Sequence, residues 1–139
     1  ASPGVFTHGL AVKPGKPTIL GFDAMSQTVL VGLPGHPLSA LMVFAAIVIP
    51  WWQGITGQQP ALPVPARLSQ NLAAAEGKTS FQPIRLSRQD GELLATPLYY
   101  KSGLISSLAQ ADGYIILPRN CEGLAAGASV AAHLFWRTI

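Results

Sequence analysis

"LVGLPGHPLSALMVF", residues 30–44, joins two apolar runs through a turn made of Pro34, Gly35, His36 and Pro37. A linker between such runs is ordinarily polar, so this turn belongs to a fold and not to a spacer. Residues 30–33 read as the end of a buried strand, and the run from Leu38 onward reads as a buried helix. Pro37 suits the first helical position, where a missing N–H costs nothing. A strand-to-helix turn of this kind gathers free backbone N–H groups at one point, a ready place for an anion.

Downstream, the apolar run 38–52 spans 15 residues, with Pro50 near its end and no positive cluster beside it. A bilayer needs about 20 apolar residues, so the run reads as a core helix and not a membrane span. It is internal and opens on a structured turn, unlike a signal peptide. A helix apolar on nearly every face is ordinarily covered on all sides. Upstream lie two strand candidates, 18–22 and 28–33, while Gly54 and Gly57 end the helix. Two strands and one helix cannot cover such a helix, and parallel α/β sheets carry helices on both faces. Residues 1–57 are therefore expected to be part of an α/β domain with an incomplete sheet. Either its natural chain starts before Ala1, or another molecule covers the helix.

Residues 58–65 hold three prolines, Pro60, Pro63 and Pro65, at a density that stiffens a linker. From 66 to 139 the pattern changes to short apolar or alternating runs divided by Gly, Pro and Asp: "ARLSQNL", "FQPIRLS", "ELLATPLYY", "GYIILP" and "SVAAHLF". That spacing predicts a small antiparallel β-barrel or sandwich. Asp90-Gly91 in "RQDGEL" suits a hairpin turn with positive φ. In "KSGLISSLAQAD", Leu104, Ile105, Leu108 and Ala109 have helical spacing. The fold class is thus α/β followed by all-β.

Composition narrows the function classes. Half of the chain is apolar (49%) and 11% is charged, which excludes disorder. The net charge of +3 is scattered, with no Lys/Arg cluster or aromatic-interleaved basic patch, so nucleic acid is not an expected partner. One cysteine, Cys121, leaves no internal disulfide framework and fits a reducing cytoplasm. His8, His36 and His133 lack the spacing of a zinc site, and no nucleophile-elbow motif is present. Trp51 and Trp52 end an apolar helix and read as packing, and Asp112-Gly113 reads as a turn before a strand.

"VKPGKP", residues 12–17, places Lys13 and Lys16 on either side of a Pro14-Gly15 turn. Alone, this is a surface loop with two solvated lysines; such a turn also holds both ammonium groups where an oxyanion would pair with them. Ser39 by itself reads first as a capping serine in the first helical turn, although its hydroxyl can face the same ligand. Both motifs lie on successive connections at what reads as one sheet edge, where open α/β folds bind ligands.

"HGLAVKPGKPTILG" followed by "VLVGLPGHPLSALMVF" closely resembles the later part of the molybdopterin-binding domain of the MoeA/gephyrin family, the molybdopterin molybdenumtransferases. "KSGLISSLAQADGYIILP" and "GLAAGASVAAHLF" resemble that family's C-terminal β-domain. The resemblance implies insertion of molybdate into adenylated molybdopterin with release of AMP, a divalent cation such as Mg²⁺, and a homodimer. It implies a binding set of Lys13, Gly15, Lys16 and Pro17 in the lysine loop, with Gly35, His36 and Ser39 at the helix turn. Lys78, Ser102 and Ser106 would complete the set from the β-domain. Lysine, hydroxyl and N–H donors suit a dianion such as molybdate.

Three departures stand out. His36 replaces the family's usual Asn and can hydrogen-bond as that amide does, though it also reads as a tolerated turn residue. "GKTSFQP" stands where the family carries an arginine-containing stretch, leaving Lys78 as the nearest match, without the bidentate fork. A Ser-Gly-Gly-rich loop ending in Asp is absent, and Asp23, the only acid in the first block, carries no mark of a substitute. The catalytic carboxylate is therefore unassigned. Two other readings stay open: a non-catalytic binding or interaction module, and an adaptor whose apolar helix lies against a membrane.

Overall fold

The computed structural model describes residues 4–99 and 109–135. Its first strands are β1 (Gly4–His8), β2 (Val12–Lys13), β3 (Ile19–Asp23) and β4 (Thr28–Gly32). β1, β3 and β4 form a three-stranded antiparallel sheet in the order β1-β3-β4. The sequence reading placed 18–22 and 28–33 at the edge of a parallel α/β sheet. The two strands pair antiparallel instead, because the residues between Asp23 and Thr28 are too few for a crossover. Asp23 builds that turn: its carboxylate accepts the Met25 N–H at 3.1 Å and the Ser26 hydroxyl. These two bonds, the serine's first, hold its pKa below the ordinary carboxylate value.

β4 leads through the Pro-Gly turn into one continuous helix, Pro37–Thr56, of 20 residues. It consists of α1 (Pro37–Val43), a π-helical turn over Phe44–Val48, and α2 (Ile49–Thr56). Pro50 accounts for the π turn. A proline inside a helix has no N–H to donate, and its ring collides with the carbonyl four residues back. Widening the preceding turn removes that collision. Gly57, at φ 70, ends the helix in the left-handed conformation and donates its N–H to the Gln53 carbonyl.

The helix corrects two expectations. It is longer than the apolar run 38–52, because it continues through the polar last turn to Thr56. It is also not buried in this chain: 11% of its most apolar stretch is covered. Met42 and Val43 are fully buried, while Phe44, Trp51, Trp52 and Ile55 are exposed.

The remaining strands are β5 (Val64–Leu68), β6 (Leu72–Ala73), β7 (Thr79–Gln89), β8 (Glu92–Pro97), β9 (Gly113–Leu117), β10 (Gly123–Leu124) and β11 (Ser129–Leu134). They run β7-β8-β5-β11-β9, and β9 pairs back onto β7, so five strands close a barrel. Most of its pairs are antiparallel; β5 and β8 run parallel. Closure leaves no free edge within the ring. Leu68, Leu72, Ile84, Ala95, Ile115, Leu117, Val130 and Ala132 fill the interior. Asp90 (φ 51) and Gly91 (φ 83) make the β7–β8 hairpin turn that the Asp-Gly pair predicts.

Two features tie the first block to the barrel. β2 pairs parallel with β7, Val12 beside Thr79 and Lys13 beside Ser80. Met42 of the helix packs against Phe81 and Tyr114 of the barrel. The Tyr114 hydroxyl lies 3.4 Å from the Ala45 carbonyl, in the π turn, as its donor.

Candidate functional site

The lysine loop is a rigid turn. Leu10 N–H donates to the Lys16 carbonyl at 2.8 Å, and Gly9 N–H to the Thr18 carbonyl at 2.8 Å. The fully buried Thr18 hydroxyl donates to the Gly15 carbonyl at 2.7 Å. The Lys13–Pro14 peptide bond is cis. Gly15 sits at φ 119, and a Cβ there would lie 2.5 Å from Cγ2 of Val43. Glycine is therefore required twice, by conformation and by the close approach of the helix.

Register brings the two motifs to one end of the antiparallel sheet. Ile19 pairs with Gly32, so Lys16 and Pro17, just before β3, lie at the same end as the Leu33–Pro34 turn just after β4. Pro37 is at the start of α1, as its chemistry predicts, and His36 is the N-cap, with extended backbone. The His36 side chain makes no capping bond, while its carbonyl accepts the Ala40 N–H at 2.9 Å. Ser39 does not cap the helix either, since that place belongs to His36.

Between the start of the helix and the barrel lies a cavity of about 470 Å³. Its walls include Lys13 and Pro14 from the lysine loop, Leu38 from the helix, and Ala73–Ala75, Ser80, Gln82, Leu98 and Tyr99 from the barrel. Among the described residues no acidic side chain lines it, and Lys13 brings a positive charge. The Ser80 hydroxyl accepts the Ala75 N–H at 3.1 Å and so shapes one wall. The field of such a wall suits an anion.

The expected binding residues fall in different places. Lys13 lines the cavity. Gly15 is buried in the turn, and Lys16, Pro17, Gly35 and His36 are exposed near it without lining it. Ser39 and Lys78 are half-buried; the Lys78 backbone N–H donates to the Ala75 carbonyl at 3.2 Å, next to the cavity wall. Ser102 and Ser106 lie outside the described residues. Ser80, Gln82 and Tyr99 were not among the expected residues, because their place in the cavity depends on barrel pairing rather than on any local motif.

Nothing among the described residues marks a magnesium site. Among the described residues no group of three or more His, Cys, Asp or Glu side chains could hold a metal ion. Asp23 is committed to its hairpin turn.

Comparison with known proteins identifies the family of the chain. Residues 65–135 match the family described as "MoeA C-terminal region (domain IV)". A molybdopterin molybdenumtransferase of Synechocystis sp. is 34% identical over 124 residues, covering 88% of this chain and 29% of that protein. One from Bacillus subtilis is 30% identical over 129 residues, covering 91% of this chain and 30% of that protein. The crystal structure of a molybdopterin biosynthesis MoeA protein from Pyrococcus horikosii superimposes with a TM-score of 0.78 and 33% identity, over 96% of this chain and 32% of that one. The chain thus spans about a third of the length of the relatives it matches. Barrel, lysine loop and Pro-Gly turn occur together in a chain that belongs to the MoeA family, with domain IV as its barrel.

Proposed function

We propose that this chain is the C-terminal part of a molybdenum cofactor biosynthesis enzyme that inserts molybdate into adenylated molybdopterin with release of AMP. The observation that carries the reading is the cavity, which Lys13 of the rigid lysine loop shares with the barrel wall. Its relatives' names, molybdopterin molybdenumtransferase, support the reaction class. Molybdate and the pterin phosphate are both anions. Lys13 and Lys16 offer ammonium donors that replace part of their hydration shells and offset charge developing on the phosphate during hydrolysis. The carboxylate that would handle water or a metal is not among the described residues, so the chemical step is not assigned to this chain.

The same reading makes the protein a cytoplasmic homodimer. Free Cys121 supports the reducing compartment, and the exposed apolar helix supports a covering partner or further chain.

Titration of molybdate into the full-length natural protein tests the site. Lys13→Ala is expected to weaken binding about tenfold or more, the value of one charge-assisted hydrogen bond, and Lys16→Ala to weaken it less. Unchanged affinity in Lys13→Ala would remove the lysine loop from the site. Tight binding of molybdate without turnover of adenylated molybdopterin would favour a non-catalytic binding module.

A further inference from the structure

Strand β7 carries a proline in the middle of a barrel, where a ladder donor is lost. Ile84 pairs with Pro97, so the next opposed pair is Pro83 and Leu98. The Leu98 N–H donates to the Pro83 carbonyl at 2.9 Å. In a hydrogen-bonded antiparallel pair the return bond would run from the N–H of residue 83 to the Leu98 carbonyl. Proline has no such N–H. The Gln82 side chain fills the gap: its Nε2 donates to the Leu98 carbonyl at 2.8 Å and to the Pro83 carbonyl at 2.9 Å. Both neighbours are acceptors, which fixes the amide with its nitrogen toward them. Leu98 is thereby held at its N–H and at its carbonyl, one residue past the end of β8.

We propose that Gln82 is a positioning residue for the anion cleft, its amide standing in for the missing Pro83 donor and so fixing the Leu98–Tyr99 wall. Gln82, Pro83, Leu98 and Tyr99 all line the cavity that Lys13 lines. Without the side-chain bond, the wall is tethered at Leu98 by one bond instead of two. The inference rests on the reading of this cavity as the molybdate site.

The test restores the donor from the backbone. In the full-length natural protein, Gln82→Leu removes the amide at nearly constant shape, and Pro83→Val in that background returns an N–H at position 83. Two quantities are read: the exchange rate of the Leu98 amide, and the dissociation constant for molybdate. Gln82→Leu is expected to speed exchange and weaken molybdate binding, each by about fivefold, within the worth of one hydrogen bond. The double variant is expected to recover both. Gln82→Asn, one methylene too short to reach, serves if the leucine variant does not fold, with the same expectation. Unchanged Leu98 exchange overturns the clamp. Faster exchange with unchanged molybdate affinity, or no recovery in the double variant, overturns the positioning role. Failure of the unsubstituted protein to bind molybdate instead overturns the cavity's assignment, and this inference falls with it.

Discussion

Gly15 concentrates two demands in one residue. At φ 119 any L side chain is strained, and a Cβ would meet Val43 at 2.5 Å. Gly15→Ala is therefore expected to cost about 2 kcal/mol of stability, read by urea denaturation, and to shift Lys13 enough to weaken molybdate binding. Adding Val43→Ala makes room for the methyl group but leaves the backbone strain, so only part of the loss should return. Full recovery would mean that contact alone demands glycine.

His133 gives a second residue-level expectation. It stacks on Tyr114 at a centroid distance of 5.2 Å, and burial lowers its pKa from the ordinary 6.5. A lowered histidine favours the neutral form in the folded state. Its contribution is fully present above pH 6.5 and is lost as pH falls through the lower folded value. His133→Phe should flatten the acid limb of a stability–pH profile; an unchanged limb would assign the acid sensitivity elsewhere. Residues whose role is set by their own backbone were legible in the sequence: Pro37 at a helix start, and Asp90-Gly91 in a hairpin. Gln82 was not, because its role exists only once Pro83 faces Leu98 across the ladder.

Helix and barrel meet through a small seam, and its size sets what a mutation there does. Met42 is fully buried against Phe81 and Tyr114, whereas Ile84 is fully buried among eight other buried residues of the barrel interior. Truncating either to alanine should cost about 2–5 kcal/mol. The distribution should differ. Met42→Ala is expected to speed amide exchange along Pro37–Thr56 while the barrel keeps its protection, and Ile84→Ala to speed exchange throughout the barrel. Uniform loss in both variants would mean that helix and barrel unfold as one unit. At this scale periodicity predicted the barrel runs and the helix. It missed β2, which is two residues long and pairs with a distant strand. It also missed the antiparallel return of β4, which follows from the shortness of the Asp23 turn rather than from the strand pattern.

The described residues leave several large apolar side chains exposed on the helix and on the three-stranded sheet. Trp52 is 55% exposed and Ile55 61%, on a helix with no charged residue, and Phe6 (56%) and Leu30 (55%) are exposed on the three-stranded sheet. Patches beyond a few hundred Å² ordinarily mark a covered face. The relatives it matches are about three times longer, which is room for such a cover. The 139-residue chain by itself is therefore expected to self-associate at micromolar concentration, and Trp52→Glu with Ile55→Lys to lower its sedimentation coefficient toward the monomer value. A membrane competes for the same face, since Pro37–Thr56 is 20 residues long and apolar enough to cross one. Against insertion stands the seam: Met42 and Val43 are already buried within the protein, so spanning would require tearing the first half of the helix from Phe81, Tyr114 and Gly15. We expect the chain to stay at the bottom of a liposome flotation gradient. Flotation that survives high salt and is lost in the Glu/Lys variant would instead assign the helix to a bilayer surface and make the barrel an anchored adaptor.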